Sequence, residues 1–114
     1  MSKRTLFIDD SQQRWIAFQQ KYSDAIWVDS SWAATREMDH GKFSYIFLDG
    51  DLGEHDSGMN VVWDLLDRKL PASETIIIVH STNAPLGLSM MRELRRAGYF
   101  CEYLPFDYNT WIKP

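Results

Sequence analysis

Five short apolar runs, TLFI, AIWV, YIFL, TIIIV and YFCEYL, recur along the chain with room for one helix between each pair. Most are continuous rather than alternating, the pattern of strands covered on both faces of a parallel sheet. Parallel neighbours need crossover connections, and the intervening segments are amphipathic with start and stop signals. Asp10–Ser11 offers a cap for a first helix carrying Trp15, Phe18 and Tyr22 on one face. A second helix starts near Ser30–Ser31 and stops at Gly41, a natural C′ residue. A third runs from about Gly58 to Leu70 and is ended by Pro71. The fourth covers about Pro85 to Ala97, with Gly98 just past its end.

Such alternation defines an α/β domain with right-handed crossovers. The 114 residues suffice for a core of their own, and no linker, repeat or low-complexity stretch divides them. Residues 1–114 therefore read as a single domain. After the fifth run only PFDYNTWIKP remains, too short for a full final helix. One side of the sheet is expected to be thinly covered there, patched by Trp111 and Ile112, by a protein partner or by a second copy.

Composition narrows the function classes. A net charge of −4 argues against a basic nucleic-acid-binding surface. The lone Cys101 cannot form an internal disulfide and reads as inert core. No signal peptide opens the sequence, and no apolar stretch approaches the ~20 residues needed to span a bilayer. The expectation is a cytoplasmic protein with no membrane association.

The ends of the apolar runs carry the chemistry. The first runs into Asp9–Asp10, the third into Asp49-Gly50-Asp51, and the fourth into His80–Ser81. Ligands of open α/β sheets bind outside the carboxyl ends of the strands, where the strand order reverses. If these three strands are neighbours, four carboxylates, an imidazole and a hydroxyl converge there. Carboxylates so crowded raise one another's pKa values or need a cation. A hard divalent metal with oxygen ligands, Mg²⁺ or Mn²⁺, answers that need and brings phosphate chemistry with it.

The same residues carry a resemblance. FIDD at a strand end, an Asp at the third strand end and Ser after the fourth resemble the response-regulator receiver domain. LDGDLGEHDSGMNVVWDLL and VHSTNAPLGLSMMRELRRAGY resemble, more specifically, the cyclic-phosphate-processing receiver-like family. That family shows Asp-Asp, then Asp-His-Asp-Leu-Gly with Thr/Ser-Gly, then His-Ser-x-Asn-Pro. The resemblance implies a flavodoxin-like, three-layer αβα fold with a five-stranded parallel sheet in the order 2-1-3-4-5. It also implies Asp10 and Asp49 as metal carboxylates, Asp9 supporting the pocket, and Asp51 giving a backbone carbonyl. His80, Ser81 and Asn83 then meet phosphate oxygens or move protons, and the substrate is a cyclic phosphate on a nucleotide or RNA end. Two positions depart from the pattern. Leu104 precedes Pro105 where receivers carry Lys, and Gly50 stands where the cyclic-phosphate family has His.

Each feature has a plainer reading. Asp9–Asp10 can simply cap the first helix, and the Asp49–Asp56 loop can be a solvated turn. It is not an EF-hand, because Glu54 falls on the turn Gly and Asn60 on the bidentate Glu. His80 can be a satisfied core histidine, and Arg92, Arg95 and Arg96 a solvated helix face. Arg14, one turn into the first helix, is either a surface cation or a group pointing back at the cleft and its substrate. Glu54, His55 and Asp56 read as rim, and the tryptophans as packing. Three functions follow in order: a metal-dependent phosphoesterase or phosphate-binding domain, a silent pseudo-receiver that binds protein, and a receiver phosphorylated on Asp49.

Overall fold

The computed structural model describes residues 4–68 and 74–105. The five apolar runs are five strands: β1 (Thr5–Ile8), β2 (Ile26–Val28), β3 (Tyr45–Leu48), β4 (Ile76–Val79) and β5 (Phe100–Tyr103). They form one parallel sheet in the order β2-β1-β3-β4-β5. The helices between them are α1 (Gln12–Gln19), α2 (Ser31–His40), α3 (Gly58–Arg68) and α4 (Ala84–Arg96). The order reverses between β1 and β3, so the carboxyl ends of those two strands frame a switch-point crevice.

Alternation along the strands sorts the core into two layers. Leu6, Ile8, Ile46, Leu48, Ile77, Val79 and Cys101 face α2, α3 and α4 in the larger layer. On the other face, Phe7 and Phe47 pack with Phe18 of α1, and Trp15, Tyr22 and Trp27 close around them. Phe7 stacks on Phe18 at 4.1 Å, and Trp15 stacks on Trp27 at 5.7 Å. The aromatic layer anchors α1, and through α1 it fixes where Arg14 can reach.

Helix ends follow the sequence closely. Ser11, rather than Asp10, caps α1 by accepting the Arg14 N–H at 3.2 Å. Ser30 caps α2 in the same way, and Asn83 caps α4. Gly98 follows α4 at φ +97°, the left-handed geometry glycine tolerates. Gly41 follows the last residue of α2 as expected, but at φ −175°, which any residue adopts. Residues 69–73 and 106–114, including Pro71, Trp111 and Ile112, lie outside the described residues. The expected C-terminal patch therefore lies outside them too.

Gly58 opens α3 where no side chain would fit. A Cβ there would meet the Asp49 carbonyl and come within 2.7 Å of Met90 Cε. Its N–H donates to the Gly50 carbonyl at 2.7 Å, drawing the start of α3 under the end of β3.

Candidate functional site

Strand register builds the site. Ile8 pairs with Leu48, and Leu48 with Val79, so the next residues, Asp9, Asp49 and His80, stand abreast. Backbone hydrogen bonds continue the row: Asp49 N–H donates to Ile8 O, and His80 N–H to Leu48 O, each at 2.9 Å. Alternation turns all three side chains to the α1 face, where the His80 ring stacks on Phe7 at 5.2 Å. One ligand atom from each of Asp9, Asp49 and His80 lies within 4.8 Å of the other two. Asp9 and His80 are fully buried and Asp49 is 3% exposed.

Asp9 is the hub. Its Oδ1 accepts the Ser11 N–H at 2.8 Å, while Oδ2 accepts from His80 Nε2 at 2.9 Å and Arg14 Nη1 at 3.2 Å. A carboxylate only accepts, so the imidazole carries its proton on Nε2. The Asp9 backbone carbonyl accepts the Trp27 indole N–H at 2.8 Å. Arg14 Nη1 also lies 3.5 Å from Asp49 Oδ2, so one guanidinium bridges both carboxylates. This is the cation that the crowded acids demand, and it is supplied by the chain itself.

The electrostatics follow from that enclosure. Burial, then the Asp9 charge, pushes the Asp49 carboxyl up to about 7, while Arg14 pulls against the rise. Asp10 is raised as well, by partial burial and by Asp9. Burial lowers the His80 pKa more than Asp9 restores it, so the ring is neutral at physiological pH.

The other expected site residues divide. Asp10 and Asp51 are exposed at the mouth, where Asp51 makes an isolated bridge with Ser57. Ser81 is fully buried; its Oγ accepts the Asn83 N–H at 3.0 Å, and its carbonyl accepts Tyr103 Oη at 2.8 Å. Asn83 is exposed, and its Oδ1 accepts the Leu86 N–H at 3.2 Å as the cap of α4. Leu104 continues the row beyond His80, its N–H donating to Val79 O at 2.8 Å, and it is half exposed. The position that receivers give to Lys is thus structurally present and apolar.

Some expectations are revised. Asp56, read as rim, binds Ser31 N–H and Oγ–H at 2.7 Å each and takes further bonds from Ser57 and Asn60. Trp32 and Trp63, read as packing, are 67% and 61% exposed. Glu54 and His55 are exposed as expected, and burial pushes the Cys101 thiol up to about 12. The sequence signal for Arg14 was the cap: with Ser11 fixed as N-cap, Arg14 falls at the third helical residue, on the turn that overlooks Asp9.

Fold and site together define a receiver-like domain whose switch-point crevice carries Asp, Asp and His in one row. The family model described as "Cyclic-phosphate processing Receiver domain" matches residues 4–96. The chain belongs to that family. Among solved structures it is similar to a CheY-like response regulator receiver domain from Methylobacillus flagellatus, at 21% identity and TM-score 0.69, covering 96% of this chain and 92% of that one. It is also similar to the chemotaxis protein CheY4 of Vibrio cholerae, at 17% identity and TM-score 0.72, with coverages of 96% and 92%. The Mn²⁺-bound form of response regulator Rcp1 matches at 16% identity and TM-score 0.66, with coverages of 97% and 90%. Identities this low establish the fold alone. No match is found among curated proteins. Among the described residues no helix is long and apolar enough to cross a membrane.

Proposed function

We propose that the chain is a divalent-metal-dependent phosphate-processing domain acting on a phosphate, cyclic phosphates included, of a nucleotide or RNA end. The observation that carries this reading is the Asp9–Asp49–His80 row, drawn within 4.8 Å at the switch point and already holding a guanidinium. A pocket that keeps a cation on two buried carboxylates suits a hard metal with oxygen ligands. Asp49 and Asp10 would hold it, with Asp51 offering its backbone carbonyl and Asp9 backing the pocket. Mg²⁺ or Mn²⁺ bound there supplies charge neutralisation and orientation of phosphoryl oxygens.

The chain's own groups do the rest. His80 fixes the orientation of Asp9 through its Nε2–H, and Asp9 in turn positions Arg14. The Arg14 guanidinium offers planar donors that match phosphate oxygens. Burial and the Asp9 charge push the Asp49 carboxyl up to about 7, so a divalent cation competes there with a proton near neutral pH. Ser81 and Asn83 shape the turn that walls the site. Family membership supports the phosphate class.

A panel of 2′,3′-cyclic nucleotides with Mg²⁺ and Mn²⁺, run on the wild type and Asp49→Asn, tests this. Metal-dependent turnover is expected, falling roughly a hundredfold or more in Asp49→Asn. Turnover that survives the substitution overturns the assignment.

Two observations favour a second reading, a pseudo-receiver that only binds protein: Arg14 already neutralises the pocket, and Leu104 replaces the receiver Lys. A thermal midpoint indifferent to Mg²⁺ and Mn²⁺ would select it. Phosphorylation on Asp49 is the third reading, checked by acid-labile phosphate after acetyl phosphate treatment. Leu104 counts against that one.

A further inference from the structure

We infer that Arg14 is a tethered counter-ion, displaced from Asp49 when a divalent metal binds and then turned onto the substrate's phosphate. The inference rests on the metal-dependent reading above and adds a regulatory step to the same site. Three observations carry it. First, Arg14 Nη1 lies 3.2 Å from Asp9 Oδ2 and 3.5 Å from Asp49 Oδ2, so it already sits against the Asp49 carboxylate that a metal would need. Second, both carboxylates are nearly sealed from solvent, whereas the Arg14 side chain is 24% exposed. The guanidinium, unlike the carboxylates it bridges, reaches solvent.

Third, the cation comes from the side opposite its usual place. Beyond His80 the row continues into Leu104, which has no charge to offer a phosphate, whereas Arg14 approaches from α1. Its backbone N–H is pinned to Ser11 Oγ, so the anchor stays while the flexible stem swings. A guanidinium freed from a carboxylate finds an equivalent planar partner in a phosphate. Metal and Arg14 thus compete for Asp49, while Arg14 and metal cooperate on the phosphate. A ligand that discriminates between two positions of a side chain shifts its population by that difference alone.

The test titrates Mn²⁺ alone into wild type, Arg14→Gln, Arg14→Lys and Asp49→Asn, following the free-ion EPR signal. Inorganic phosphate is then titrated into each Mn²⁺-loaded protein. Loss of one ion pair corresponds to a change of up to about fivefold, so Arg14→Gln is expected to bind Mn²⁺ about two- to fivefold more tightly than wild type. It is expected to hold phosphate about tenfold more weakly, with Arg14→Lys between the two. Arg14→Lys keeps the charge and covers the case in which Arg14→Gln does not fold: Mn²⁺ affinity and phosphate affinity must then both shift in the same directions. An unchanged or weaker Mn²⁺ affinity, or an unchanged phosphate affinity, overturns the inference. If wild type binds Mn²⁺ no better than Asp49→Asn, the metal-dependent reading itself falls and the inference with it. If wild type binds through Asp49 and the Arg14 variants match it, only the inference falls.

Discussion

Asp49 sits at odds with its surroundings, because a nearly sealed carboxyl beside Asp9 favours its protonated form. A folded-state pKa of about 7 against an ordinary 3.8 means the native state binds the extra proton between those values. Metal-free stability therefore falls as pH rises through that window and is unpenalised below it. Asp49→Asn keeps the shape and removes the charge. In EDTA it should unfold at higher urea than wild type at pH 8, by about 1–3 kcal/mol, with the gap closing towards pH 4. A gap of the same size at both pH values would show that the charge is not the cause. Gly50 is the neighbouring constraint. A Cβ there would meet Ser81 Oγ, lie 2.8 Å from Ser81 Cβ and 3.0 Å from Leu86 Cδ2. The buried Ser81 thus fills the space over Gly50, and the His found there in other family members has no room beside it. Gly50→Ala should cost about 1–3 kcal/mol in urea unfolding, and Gly50→His more. A neutral Gly50→His would mean that Ser81 swings aside freely.

At the scale of elements, the strands and helix starts were legible because their causes are local. Apolar runs mark β1 to β5, and Ser11 and Ser30 cap the helices that follow β1 and β2, whereas Asn83, expected to meet phosphate, caps α4. What stayed hidden depends on distance along the chain. Asp56 looked like solvated rim because its main partner, Ser31, is 25 residues away. It is in fact the clasp between the start of α2 and the loop entering α3. Burial alone would raise its pKa, but hydrogen bonds from Ser31, Asn60 and Ser57 lower it overall. Its stability contribution is then present above the ordinary carboxylate range and lost as pH falls through the depressed folded value. Asp56→Ala should cost about 2–3 kcal/mol at pH 7, since charge-assisted bonds to two helix starts disappear together. Chemical denaturation at pH 7 and pH 3 checks it, with a smaller difference expected at the lower pH. Gly41 ends α2 where expected, but the chain leaving the helix runs extended towards β3, so no left-handed residue is required.

For the whole molecule, the topology was readable because alternating buried strands and amphipathic helices admit few arrangements, and the switch point follows from strand order. The side of the site from which its cation comes was readable only as one of two alternatives for Arg14. It depends on the aromatic layer of Phe7, Phe18, Trp15 and Trp27, which sets how α1 lies over β1 and β3. That layer also ties the site to global stability. Trp27 donates to the Asp9 backbone carbonyl and stacks on Trp15, so the residue that carries the hub carboxylate is tied to the aromatic layer. Because the folded chain alone brings these carboxylates together, a divalent ion that binds them should stabilise the folded state by mass action. At a hundred times its Kd, Mn²⁺ should add about 2.7 kcal/mol. For a domain of this size that is a rise in Tm of roughly 10 °C or more. Thermal unfolding followed by tryptophan fluorescence should show a midpoint climbing with the logarithm of Mn²⁺ concentration. Asp49→Asn should stay flat over the same titration, and Arg14→Gln should begin its climb at a lower concentration than wild type. A wild-type midpoint that does not move would leave the crevice a closed ion-paired core, and the domain's work would then lie on its surface.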